Sequence, residues 1–167
     1  MQKVMILACL ALPLPAMAQD APADGATAAV TAAETCIRAA EDVAGRLACV
    51  GLARTQCIEA AETPNTIAQS ECAGWELDYW KTSLNQSYDE MHAALTADDA
   101  EGPGRSQAAA FEAAQKAWLA WREAECTFAA SRMRGGSGAG PAEISCELYL
   151  TGQRAVEVEA EVSGLVQ

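Results

Sequence analysis

The stretch Leu77–Leu95, LDYWKTSLNQSYDEMHAAL, decides the fold class. Within it Leu77, Trp80, Leu84, Tyr88, Met91 and Leu95 follow one another at steps of 3, 4, 4, 3 and 4. Those steps place the apolar side chains on one face of an α-helix, whereas a strand would scatter them over both faces. The segment therefore reads as an amphipathic helix that extends back to about Ile67. A second helical stretch follows from about Arg105 to Met133. It carries Phe111, Ala114, Trp118 and Trp121 on one side, with Gln115, Leu119, Arg122 and Cys126 beside them. A third places Ile144, Leu148, Thr151, Ala155, Val158 and Val162 at steps of 4, 3, 4, 3 and 4. Two weaker, alanine-rich helices are expected over Thr31–Val43 and Arg46–Ala61. No alternating pattern of useful length argues for a strand. The expectation is an all-α chain, a small antiparallel bundle of helical hairpins, with Trp118 and Trp121 in its core.

Breakers separate these helices. Gly45, Thr63-Pro64-Asn65 and Gly102-Pro103-Gly104 read as turns, and Gly135-Gly136-Ser137-Gly138-Ala139-Gly140-Pro141 is the longest loop. At the N-terminus, Lys3 precedes the apolar run Val4–Leu12; Pro13 and Pro15 end it, and Ala16-Met17-Ala18 offers a cleavage site before Gln19. Residues 1–18 read as a secretory signal peptide, too short to span a bilayer. Lipidation at Cys9 is disfavoured, because so early a cysteine leaves almost no apolar stretch before it. A disordered lead-in over 19–28, rich in Ala, Asp, Pro and Gly, and one helical domain over 29–167 complete the expected organisation.

The chain has 167 residues, with 11 Lys and Arg against 23 Asp and Glu and a net charge of −12. That balance excludes nucleic-acid binding, which needs cations against phosphates, and argues against attraction to anionic membranes. A basic protein partner suits it better.

Removing the leader leaves six cysteines, Cys36, Cys49, Cys57, Cys72, Cys126 and Cys146. An even set in an exported chain reads as disulfides, although the count alone leaves the pairing open. Antiparallel hairpins narrow it, because residues equally far from a turn meet across it. Cys36 and Cys49 are centred on Asp42–Val43 beside Gly45, Cys57 and Cys72 on Pro64–Asn65, and Cys126 and Cys146 on Gly136. The expected bridges are Cys36–Cys49, Cys57–Cys72 and Cys126–Cys146. Each restricts the unfolded chain enough to add roughly 2–4 kcal/mol.

Catalytic and cofactor signatures are missing. His92 is the only histidine, there is no G-x-S-x-G turn and no C-x-x-C pair, and the glycine loop lacks the Lys-Ser/Thr ending of a phosphate loop. No enzyme activity, no metal and no cofactor is expected. The many carboxylates read as solvated helix faces.

The second half of the chain carries a more specific pattern. Cys72 with Glu76, then Leu84-Asn85 and Tyr88, lead to Gln115-x-x-Trp118-Leu119-x-Trp121-Arg122-x-x-x-Cys126, the Gly135-Gly136-Ser137 loop, Cys146 and Thr151-x-x-Arg154. From about Cys57 to the end, this resembles the family carrying the lysozyme inhibitor LprI-type N-terminal domain. Two departures stand out. Lys81 occupies a position that is usually acidic in that family, and Cys36 and Cys49 lie in an N-terminal extension outside the common core. The resemblance implies a small, secreted or periplasmic helical domain with two core disulfides, matching Cys57–Cys72 and Cys126–Cys146.

It also implies a function. The leading expectation is an exported protein that binds and inhibits a basic lysozyme-like peptidoglycan hydrolase; the alternative is a structural or interaction protein of the bacterial envelope. Lysozyme clefts hold carboxylates, so the loop Arg134-Gly135-Gly136-Ser137-Gly138, with a cation, a hydroxyl and little bulk, is the candidate contact; the alternative is a plain helix connection. The polar residues of the family pattern, Glu76, Asn85, Gln115, Arg122, Thr151 and Arg154, lie beside apolar stripes on three helices. They are expected to form a partly buried network that fixes helix register, with Glu76 pairing with Arg122 or Arg154. A surface recognition patch is the rival.

Overall fold

The computed structural model describes residues 23–102 and 104–165, so the expected signal peptide over 1–18, with Cys9, lies outside the described residues. Among these residues the chain forms helices and no strand: α1 Ala23–Ala39, α2 Val43–Ala48, α3 Leu52–Ala60, α4 Thr66–Glu101, α5 Gln107–Ser131 and α6 Ala139–Leu165. The three disulfides are Cys36–Cys49, Cys57–Cys72 and Cys126–Cys146, with Cα atoms 5.7, 5.7 and 5.3 Å apart.

Helix α4 is the axis of the bundle. Asn65 starts it by accepting hydrogen bonds from the Ile67 and Ala68 amides at 2.9 and 3.0 Å, satisfying donors that a helix N-terminus leaves open. Its 36 residues run for about 54 Å. The predicted stripe is the core face: Leu77, Trp80, Leu84, Met91 and Leu95 are buried and Tyr88 packs against them. Leu148, Ala155, Val158 and Val162 of α6 close over that face, with Phe111 of α5 beside them. Phe111 stacks on Tyr88 with ring centroids 5.1 Å apart.

The sharp turn from α4 to α5 is fixed by a carboxylate from the other side. Asp99, near the end of α4, accepts from the Ser106 hydroxyl at 2.7 Å and from the Gln107 and Ala108 amides at 2.8 and 3.1 Å. Ser106 in turn caps α5 through the Ala109 amide at 3.1 Å. Those three donors hold the Asp99 carboxyl below its ordinary range, the Ser106 hydroxyl contributing most.

Four expectations need correction. The lead-in over 19–28 is not wholly disordered, because α1 is already helical from Ala23; Ala29 and Ala33 bury their faces, and small side chains let α1 lie against α4. The helix expected over Arg46–Ala61 is two helices, and Gly45 sits inside α2 rather than at the turn, which Asp42 makes by accepting from the Gly45 amide at 2.7 Å. The break falls at Gly51, whose φ of 90° is left-handed. Any side chain there would collide with the Tyr149 ring, so glycine satisfies both the torsion and the packing. The glycine loop is shorter than expected, since Ala139, Gly140 and Pro141 form the first turn of α6, where a missing proline amide costs nothing. Finally, Trp121 is not core. It lies roughly 120° round the helix from Gln115 and is 48% exposed, whereas Trp118 packs against the core.

Candidate functional site

The polar residues of the family pattern divide into two groups. Glu76 belongs to the first and has no solvent exposure. Its carboxylate accepts from the Gly51 amide at 2.7 Å, the Arg54 amide at 2.6 Å and the Trp80 indole N–H at 2.9 Å. Two of these donors are orphan amides at the N-terminus of α3, and the partial positive charge there favours the anion. Glu76 thus holds the α2–α3 junction onto α4 from the middle of another helix. The pairing with Arg122 or Arg154 is not made: among the described residues no ion pair joins them to Glu76. A carboxylate filled by three N–H donors no longer needs an arginine.

The second group meets on the opposite side of α4. Arg122 donates from Nη1 to the Thr151 hydroxyl at 2.9 Å, joining α5 to α6. Arg154 donates from Nε to Gln115 Oε1 at 3.2 Å, a second link between the same helices, and reaches Glu157 at 3.5 Å. Arg122 also stacks over Trp118, 5.2 Å from the ring centroid, and its Nε is buried without a hydrogen-bond partner. Of these, Gln115, Arg122 and Thr151 line an open groove of about 450 Å³ between α4 and α5. Lys81, Leu84, Asn85 and Tyr88 form the α4 wall; Glu112, Gln115, Lys116, Leu119 and Arg122 form the α5 wall, and Thr151 of α6 also lines it. Asn85 is exposed there rather than buried in a network. Glu112 and Lys116 pair with each other, which lowers the carboxyl's pKa and raises the ammonium's.

A second cavity, of about 480 Å³, lies between α1, α3 and α4 around Ala29, Ala53, Trp75 and the Cys57–Cys72 bridge. It is mostly apolar and contains none of the second group.

Along the C-terminal half of α5, on from Trp121, a different surface is exposed. Trp121 and Phe128, 48% and 59% exposed, stand two helical turns apart on one side. Met133, also exposed, and then the loop Arg134–Gly138 follow. Arg134 has a φ of 49° and Gly135 one of 78°, and turn hydrogen bonds from the Gly136 amide to Met133 and from the Ala139 amide to Gly136 hold the loop. Cys126–Cys146 ties the two helices together at its base. Left-handed backbone at a non-glycine residue costs roughly 1–2 kcal/mol, so Arg134 is held out at the tip against its own preference. The periodicity signalled the stripe on this helix but not that Trp121 leaves it; only the angle from Gln115 separates the two.

Among the described residues no group of three or more His, Cys, Asp or Glu side chains is placed to hold a metal ion. No helix among them is long and apolar enough to cross a membrane. His92 stacks on Tyr88 with ring centroids 5.9 Å apart.

Neither a curated protein nor a solved structure matches the chain. A family model described as lysozyme inhibitor LprI matches residues 57–158, which include every polar residue of both groups and the Cys57–Cys72 and Cys126–Cys146 bridges. By that match, the chain belongs to the LprI lysozyme inhibitor family.

Proposed function

We propose that this protein is exported and acts outside the cytoplasm by binding and inhibiting a lysozyme-type peptidoglycan hydrolase, without catalysis of its own. Family membership supports a lysozyme-type partner, and three disulfides suit an oxidising compartment. The observation that carries the choice of surface is the strip formed by Trp121, Phe128, Met133 and Arg134. Exposed aromatic and arginine side chains on a braced support are what protein interfaces use as anchors. Arg134 and Ser137 supply donors that can meet cleft carboxylates, while the charge of −12 draws in a basic enzyme over longer range.

A cell-wall lysis assay with a basic c-type lysozyme tests this. Dose-dependent protection that weakens with added salt is the expected result. Replacing Trp121 and Phe128 together by Ala lowers potency about tenfold or more without moving the melting midpoint. Arg134→Gly removes the guanidinium and relieves the backbone, so the variant melts no earlier yet protects less. Absence of protection at micromolar protein overturns the proposal and favours an envelope interaction protein with no hydrolase target.

A further inference from the structure

On a chain of net charge −12, the groove between α4 and α5 has the opposite sign. Lys81, Lys116 and Arg122 line it against one carboxylate, Glu112, and that carboxylate is taken up by Lys116. Lys81 has only Asp78, 3.8 Å away and mostly in solvent. Arg122 has no ion-pair partner among the described residues, and its guanidinium is hydrogen-bonded through Nη1 to the neutral Thr151 hydroxyl. A guanidinium held over Trp118 and fixed by Thr151 has already lost most of its rotamer freedom, which lowers the cost of binding an anion. Around it, Asn85 presents an exposed side-chain amide, and Leu84 and Leu119 present apolar surface. Gln115 is mostly buried and its Oε1 is taken by Arg154, which leaves its amide N–H groups to donate. A groove of about 450 Å³ is within the range of small-molecule sites, which combine apolar walls with a few placed polar groups.

We infer that this groove binds a small carboxylate ligand, namely an acylated amino acid or short peptide with a free terminal carboxylate. The carboxylate meets Arg122 and Lys81, the adjoining amide pairs with Asn85 and Gln115, and a small side chain rests on Leu84 and Leu119. The groove shares no residue with the Trp121–Arg134 strip, and the inference does not depend on hydrolase inhibition.

The test is an NMR titration of the oxidised protein with N-acetyl-alanyl-alanine, in its L,L and D,D forms, alongside the corresponding C-terminal amides. Saturable shifts at the Trp118 indole and at Asn85 and Gln115 are expected for the acids, with binding at least about tenfold weaker for the amides. Preference for the D,D form identifies cell-wall peptide as the source; preference for the L,L form identifies protein chain ends. Arg122→Gln weakens binding about tenfold or more. Lys81→Gln, at an exposed site remote from the core, weakens it about threefold with an unchanged melting midpoint. Lack of saturable shifts with either acid, equal affinity for acid and amide, or unchanged affinity in both variants overturns the inference.

Discussion

Glu76 and Arg122 belong to the same family pattern and both project from the middle of long helices, yet their surroundings are opposite. Glu76 is sealed, with each donor around it at 2.6–2.9 Å. Arg122 stands at the wall of an open groove, held by a neutral hydroxyl and a ring and with no ion-pair partner among the described residues. The sealed carboxylate organises the chain, because a segment outside the family core (the α2–α3 junction) is fastened by a residue inside it. The half-satisfied guanidinium leaves chemistry available to something else. Polar residues at fixed helical spacing therefore do not share one role merely because they share one pattern.

The largest expected effect breaks the sealed side. Glu76→Ala strands two backbone amides and an indole N–H in the interior, and should cost about 3–5 kcal/mol in chemical denaturation. Glu76→Gln keeps the shape and one acceptor oxygen and should cost less, about 2 kcal/mol. Removing one bridge comes next. Replacing Cys126 and Cys146 together by Ala opens a loop spanning 20 positions and should cost about 3 kcal/mol. On the open side the same measurement should read little. Arg122→Ala should cost about 1 kcal/mol, the worth of one hydrogen bond and one ring contact. Asn85→Ala should change stability by less than about 0.5 kcal/mol. An Arg122→Ala loss as large as that of Glu76→Ala would erase the distinction between the two groups.

Asp99 sharpens the comparison, since it too caps a helix from a distance but stands near solvent. Its pKa is lowered in the folded state by the Ser106 hydroxyl and the Gln107 and Ala108 amides. The sign follows: the folded state gains stability above the ordinary carboxylate pKa of about 4 and loses it as pH falls through the lowered value. Melting midpoints followed from about pH 6 down to about pH 2 should therefore fall more steeply for the wild type than for Asp99→Asn. Parallel curves would deny Asp99 its part in the α4–α5 turn.

Much of the bundle could be read before any coordinates. The stripe from Leu77 to Leu95 and the one from Ile144 to Val162 are the two halves of the core, because helical period and burial are one phenomenon seen twice. The disulfide pairing followed from symmetry about turns. The break at Gly51 did not, since its causes lie 25 residues away at Glu76 and further still at Tyr149. Periodicity sees only neighbours. The same limit hid the partition of the polar residues. Their positions beside the stripes were legible, but whether a carboxylate there meets an arginine or three N–H groups depends on which helix end is brought against it.

The bridges also carry a kinetic meaning, because each joins a cysteine to the next one along the chain. Exported as proposed and freed of a leader that holds Cys9, the polypeptide would present its six remaining thiols in the order in which they must be joined. A catalyst that simply couples successive arrivals would produce the native set, and reshuffling by thiol exchange would have nothing to repair.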